Sequence, residues 1–254
     1  MFIDHKRKFV FFHAEKTAGT FIENKFCEMF GVEHWLTDWA SRDWGNGHRG
    51  KSLEGQFTKH LPPQGLRNRW GVEKFDDYFK FGCVRNPWSM WLSYFSMTRQ
   101  WHKFASPTGH HFKKHGRVHC LNDFVNINEF VQVTHNNKTP TASRNQFDKL
   151  SNYSTKFFTL QKGVNAPVLV DKVVKVERLQ DDMNEVCDIL NIERIDTNDR
   201  PKTTRNNGET TNCESKHGHT RDEFDRESAD IIERVSGLDV HNFKFHGHHP
   251  FRQL

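Results

Sequence analysis

The chain has 254 residues and a formal charge of +5 with its 17 histidines neutral. Only 35% of it is hydrophobic, yet 23 Phe and 7 Trp bury much area per side chain and apolar periodic segments recur throughout, which excludes a disordered chain and fits a folded domain of this length. The mild basic excess suits an acidic ligand without naming one, and no run of about 18 apolar residues is present to span a membrane.

The first predicted strand is Phe9-Val10-Phe11-Phe12. It ends in the polar turn His13-Ala14-Glu15-Lys16-Thr17-Ala18-Gly19-Thr20, after which Phe21, Ile22, Phe26, Met29 and Phe30 fall on one helical face and Gly31 stands where a C-cap belongs. A turn from a strand into a helix N-terminus presents backbone N–H groups and a positive dipole end. Lys16 adds a cation, and Thr17 and Thr20 add hydroxyls, so the segment has the chemistry of a phosphate- or sulfate-binding loop. The order G-x-x-x-x-G-K-[ST] is absent, so it is not a Walker A loop. Taken alone it also reads as an ordinary strand–helix turn.

Residues 35–59 are rich in Gly, Asp, Arg and Trp and read as a loop insertion. A second strand is predicted at 78–84, followed by Arg85-Asn86-Pro87 and then Trp88, Trp91, Leu92 and Phe95 at i, i+3, i+4 and i+7. Asn86 is a natural N-cap and Pro87 a natural first helical residue. Ser89, Ser93 and Ser96 make a small polar face on that helix, and an arginine fork at the strand end with a nearby hydroxyl suits a terminal phosphate. Residues 100–120 are polar and rich in His and Lys, and 123–133 carry a helical pattern. A third strand is predicted at 168–176, leading into a helix with Leu179, Met183, Val186, Cys187 and Leu190 on one face. Residues 196–219 read as a polar surface loop or lid, and 221–236 return to helix with Phe224, Ile231, Ile232 and Val235 inward.

Strand followed by helix, three times, predicts one α/β domain over residues 1–254 with a central parallel sheet flanked by helices. Ligands of such sheets bind beyond the carboxyl ends of the strands, where Lys16 and Arg85 both fall. Two anion sites at two strand ends imply a ligand with two separated phosphate groups, such as a nucleotide bisphosphate. The five cysteines are odd in number and form no C-x-x-C, and Cys27, Cys83 and Cys187 sit in apolar patterns, so a reduced compartment is the simpler expectation.

The Lys16-Thr17-Ala18-Gly19-Thr20 turn resembles the 5′-phosphosulfate loop of carbohydrate sulfotransferases, P-K-T-x-G-T, with Glu15 where that family usually has proline. The stretch from Phe81 through Arg85 to Ser93 resembles the family's 3′-phosphate site, Lys59-His60-Leu61-Pro62 its K-H-x-x segment, and Val176-Glu177-Arg178-Leu179 its later E-x-L element. The resemblance is to Golgi-type, family-2-like members and runs from about residue 9 to 245. It implies a three-layer, P-loop-like fold and transfer of a sulfuryl group from 3′-phosphoadenosine 5′-phosphosulfate (PAPS) to a sugar hydroxyl, leaving adenosine 3′,5′-bisphosphate (PAP). It implies that Lys16, Thr17, Ala18, Gly19, Thr20, Arg85 and Ser93 hold the nucleotide, with Arg205 in the late basic segment and Lys202 beside it. Growing charge on the oxygen bridging sulfur to phosphate makes Lys16 a catalytic candidate as well. His60 matches the family's catalytic histidine, with Glu54 as the fallback base.

No Mg²⁺-type carboxylate cluster is apparent, and the glycines around His110, His111, His115, His119 and Cys120 disfavour a helical metal site there. Those residues, with Lys113, Lys114 and Arg117, read as a solvated loop or a flank for an acidic glycan. Trp35, Trp39, Trp44, Trp70 and Trp101 are core or sugar-stacking residues. Two other readings stay open: a nucleotide-dependent kinase on the same fold, and a noncatalytic binder of acidic polysaccharide. Neither a nucleic-acid partner nor a membrane span is expected. The first strand begins within ten residues of Met1 without a signal-type apolar region, which implies the cytoplasm for a full-length chain and the Golgi lumen if a leading anchor was removed.

Overall fold

The structure is a computed structural model that describes residues 1–31, 49–52, 55–58, 60–104, 126–135, 148–197 and 223–252. It divides into two compact units: residues 1–85, 156–162 and 166–201 form the first, and 86–155, 163–165 and 202–254 the second.

The first unit is built on a four-stranded sheet in the order β1-β2-β5-β6. Strands β2 (Phe9–Phe12), β5 (Phe79–Val84) and β6 (Lys172–Lys175) are parallel, with Phe11 opposite Phe81 and Cys83 opposite Val174. Strand β1 (Phe2–Asp4) adds an antiparallel edge to β2. Side chains alternate across the sheet, so Phe9, Phe11, Phe81, Cys83 and Val174 face one side. There they pack with Ile22 and Phe26 of α1 (Gly19–Phe30) and with residues of a later helix, Leu179–Leu190. On the other side Phe12 meets Phe75 of the short helix α3 (Val72–Asp76), which follows α2 (Pro63–Trp70), with ring centroids 6.4 Å apart. A Cβ at Gly82 would come within 2.5 Å of the Phe158 ring, so glycine is what lets that ring approach the sheet. Helices therefore cover both faces of the sheet, as predicted.

Helix α1 ends at Gly31, whose φ of 64° gives the left-handed cap that its sequence position predicts. The third predicted strand is shortened to β6, because Val168 leaves the run to bridge Thr159 and Val176–Arg178 winds into a 3-10 turn. Part of the segment expected to be a loop forms an antiparallel pair, β3 (Arg49–Ser52) with β4 (Gly55–Thr58).

The second unit is helical among its described residues. Its α4 (Pro87–Phe104) starts as predicted: the Asn86 side-chain oxygen accepts from Ser89 N at 2.9 Å, and its carbonyl accepts from Met90 N. Trp88, Trp91 and Phe95 are buried, and Trp88 Nε1 donates to the Ala229 carbonyl of helix Arg226–Val235 at 3.0 Å. The Asp225 carboxylate caps that helix by accepting from Ser228 N. Buried Asp239 accepts from Ser154 N and Thr155 N at 2.9 and 2.7 Å.

Candidate active site

Strands β2 and β5 are parallel neighbours, so the segments that leave their carboxyl ends emerge on the same edge of the sheet. The first is the loop 13–18 leading into α1, and the second is Arg85. The loop is tightly wound. Lys16 and Ala18 have φ of 63° and 64°, in the left-handed region, while Thr17 between them does not. Non-glycine residues adopt that conformation at a cost of about 1–3 kcal/mol and do so chiefly at functional sites. Alternation of this kind turns successive backbone N–H groups toward one concave side, which is the geometry of an anion nest. It lies directly before the first turn of a twelve-residue helix, where the dipole adds to it.

Thr17 is buried and its hydroxyl donates to the Ala14 carbonyl at 2.9 Å, so it ties the loop to itself. Thr20 is exposed at the start of α1. Arg85 is half-buried, and its Nη1 donates to the Lys16 carbonyl at 3.3 Å. The two residues proposed from sequence to mark two anion sites thus belong to one cationic corner of the first unit. His60 also joins it: its Nδ1 lies 2.8 Å from the His13 carbonyl. A carbonyl oxygen only accepts, so Nδ1 carries the proton and the lone pair of the neutral ring sits on Nε2.

Two residues of this corner were not anticipated. The His13 ring, 4% exposed, stands edge-to-face against His60 with centroids 4.7 Å apart. Its Nδ1 lies 2.8 Å from Oε2 of Glu23, a carboxylate only 1% exposed, whose Oε1 is 2.5 Å from the Met1 amino group. Gly19 makes room for this arrangement: a Cβ there would fall 2.2 Å from His13 Cδ2. The sequence signal for Glu23 was its position in the apolar arc of α1, between Ile22 and Phe26, where a carboxylate needs a buried partner.

Ser93 is buried on α4 in the second unit. Glu54, Lys202, Arg205 and the histidine-rich segment 110–120 lie outside the described residues, as do Trp35, Trp39 and Trp44. Among the described residues, one cluster has the composition of a metal site: Asp230, Glu233 and His249 in the second unit. Its hydrogen bonds argue otherwise. Phe251 N donates to His249 Nδ1 at 3.1 Å, so the ring proton sits on Nε2 and points at Asp230 Oδ1, 3.1 Å away. Arg252 supplies the cation, 3.0 Å from Asp230 and 2.7 Å from Glu233. The cluster anchors the chain that follows the 3-10 turn His246–His248.

A parallel sheet covered by helices on both faces, with a wound loop at its strand ends, is an α/β architecture whose ligands bind beyond the carboxyl ends of the strands. The model described as "Sulfotransferase family" matches residues 1–246, and the chain belongs to that family. The match runs through both units, and it makes the protein a transferase of the sulfuryl-transfer type with a P-loop-like fold. No curated protein and no solved structure matched the chain. Among the described residues no helix is long and apolar enough to cross a membrane.

Proposed function

We propose that the protein moves a sulfuryl group from PAPS to a hydroxyl of a carbohydrate acceptor, giving PAP and a sulfate ester. The observation that carries this reading is the Arg85 contact to the Lys16 carbonyl, which puts the Arg85 guanidinium against the loop that carries Lys16. The wound loop and the α1 N-terminus suit the 5′-phosphosulfate, and the Arg85 fork suits a terminal phosphate of the same nucleotide. In the reaction the acceptor oxygen bonds to sulfur while the bond from sulfur to the bridging oxygen breaks. The acceptor's proton passes to Nε2 of His60, and Lys16 opposes the charge that develops on the departing oxygen. The family resemblance also assigns Ser93 and Arg205 to the nucleotide. The acceptor is a neutral or acidic glycan.

The test pairs a melting curve with PAP and transfer of radiolabelled sulfate from PAPS to a panel of glycans. A rise in Tm with PAP together with labelled product supports the proposal. No shift at millimolar PAP and no labelled product from any glycan rejects it.

A further inference from the structure

Helix α1 carries a seat for a ring. Gly19 and Glu23 are four residues apart, so they lie one above the other on the same face of its first turns. The His13 ring occupies the space that the missing Cβ of Gly19 leaves and meets the Glu23 carboxylate at its Nδ1. At 2.8 Å the two atoms are within ion-pair distance, and a protonated His13 ring is attracted to the carboxylate although no N–H is aimed at the oxygen in hydrogen-bond geometry. The contact is almost fully buried, where an electrostatic attraction is strong and costly to break.

This seat fixes more than the ring. Residue 13 is the first after β2, and its carbonyl is the acceptor for His60 Nδ1. Its ring is also the wall against which the His60 ring stands at an interplanar angle of 85°. We propose that Glu23 and His13 form a positioning pair that holds His60 in its Nδ1–H tautomer, with Nε2 as the basic nitrogen. Neither residue of the pair exchanges a proton with the acceptor. Glu23 locks the His13 ring to α1, the locked residue presents its carbonyl, and the carbonyl dictates which nitrogen of His60 carries the lone pair. The inference rests on the reading of His60 as the base only for its catalytic consequence. The tautomer and its dependence on Glu23 stand independently of the reaction.

The experiment reads the ring nitrogens directly. Protein labelled with ¹⁵N-histidine gives two-bond proton–nitrogen spectra that distinguish a protonated from an unprotonated ring nitrogen, and His60→Gln identifies the His60 signals by their loss. In the wild-type chain His60 is expected to show a protonated Nδ1 and an unprotonated Nε2. In Glu23→Gln, a near-isosteric change, the His13 signals shift and the His60 pattern broadens or mixes tautomers, and kcat falls about tenfold or more while KM for PAPS stays within about twofold, as with other outer partners that orient a histidine. A wild-type His60 with its proton on Nε2 overturns the proposal, and so does a Glu23→Gln protein whose His60 spectrum matches wild type. The wild-type spectrum needs no variant at position 23, so a Glu23→Gln chain that fails to fold leaves the first criterion in force. If the expected spectra appear in a protein that transfers no sulfate, the positioning pair holds and the proposed function is what fails.

Discussion

Gly19→Ala is the sharpest single test of the corner's geometry, because two physical arguments give it opposite signs. Gly19 opens α1 without a positive φ, so helix propensity alone predicts that alanine stabilises by about 0.5–1 kcal/mol. The structure predicts a loss. The new Cβ would stand 2.2 Å from Cδ2, 2.5 Å from Cγ and 2.5 Å from Nε2 of His13, and the ring is pinned by Glu23 on one side and His60 on the other. Overpacking of this kind costs about 1–3 kcal/mol, and if the ring leaves its seat instead, the buried Glu23 carboxylate loses His13 while the Met1 amino group stays at 2.5 Å. Contacts of 2.2–2.5 Å put the overpacking cost at the upper end of that range, so less the propensity gain the net loss is about 2 kcal/mol, a fall in Tm of about 4–8 °C for a chain of this size. The assay is urea or thermal denaturation of Gly19→Ala, of His13→Ala, and of the double variant. Once the ring is gone, alanine at 19 recovers its propensity advantage, so the double variant is more stable than the sum of the single losses by about 1–3 kcal/mol. Gly19→Ala that stabilises the wild-type chain, or a cycle with no coupling, refutes the seat.

Lys16→Ala and Arg85→Ala each remove a cation that the proposed function sets against the donor. Each is expected to lower kcat/KM by about 100-fold or more, as loss of one preorganised donor does, with Tm nearly unchanged; a loss under about threefold removes that residue from its role. On the surface, Lys172 holds the Glu185 carboxyl below its ordinary value by a hydrogen bond and by charge. A depressed carboxylate pKa favours the fold above the unfolded value and loses that contribution as pH falls through the folded one. Glu185→Gln should therefore be slightly less stable than wild type at neutral pH and equal to it in strong acid, and urea midpoints that differ most in acid contradict this. Burial pushes the Cys27 and Cys187 thiols up, so peptide mapping after brief treatment with a thiol reagent at neutral pH should find both unlabelled in the native chain and labelled in urea. Rapid native labelling at either one contradicts their buried positions.

What the sequence made legible and what it hid follow one physical division. Apolar periodicity found β2, β5, α1, α4 and the helix Leu179–Leu190, because burial on one face leaves a repeat that needs no partner to be read. Caps at Gly31 and Asn86 were legible for the same reason: each satisfies its own helix end. Strand β1 was not, since three residues at an antiparallel edge carry too short a pattern. The end of the third strand was misjudged because valines recur from Val168 to Val176 on both sides of Asp171 and Lys172, and the bridge from Val168 to Thr159 takes the first of them out of the sheet.

The polar corner lay deeper. A helical wheel treats a glutamate as solvent-facing, and a histidine after a strand reads as the start of a turn, so neither Glu23 nor His13 stands out singly. They matter only as a pair, and the pair exists because Gly19 lacks a side chain. The legible trace is thus relational: a glycine one helical turn before a carboxylate on an apolar face, with an aromatic-sized polar residue just ahead of the helix. Burying a carboxylate is costly without a partner, and the glycine opens the seat from which His13 reaches it. The residue that sequence motifs assign to backbone approach at a phosphate therefore has a second steric task here, and substitution at 19 would unseat His13 before it touched any ligand.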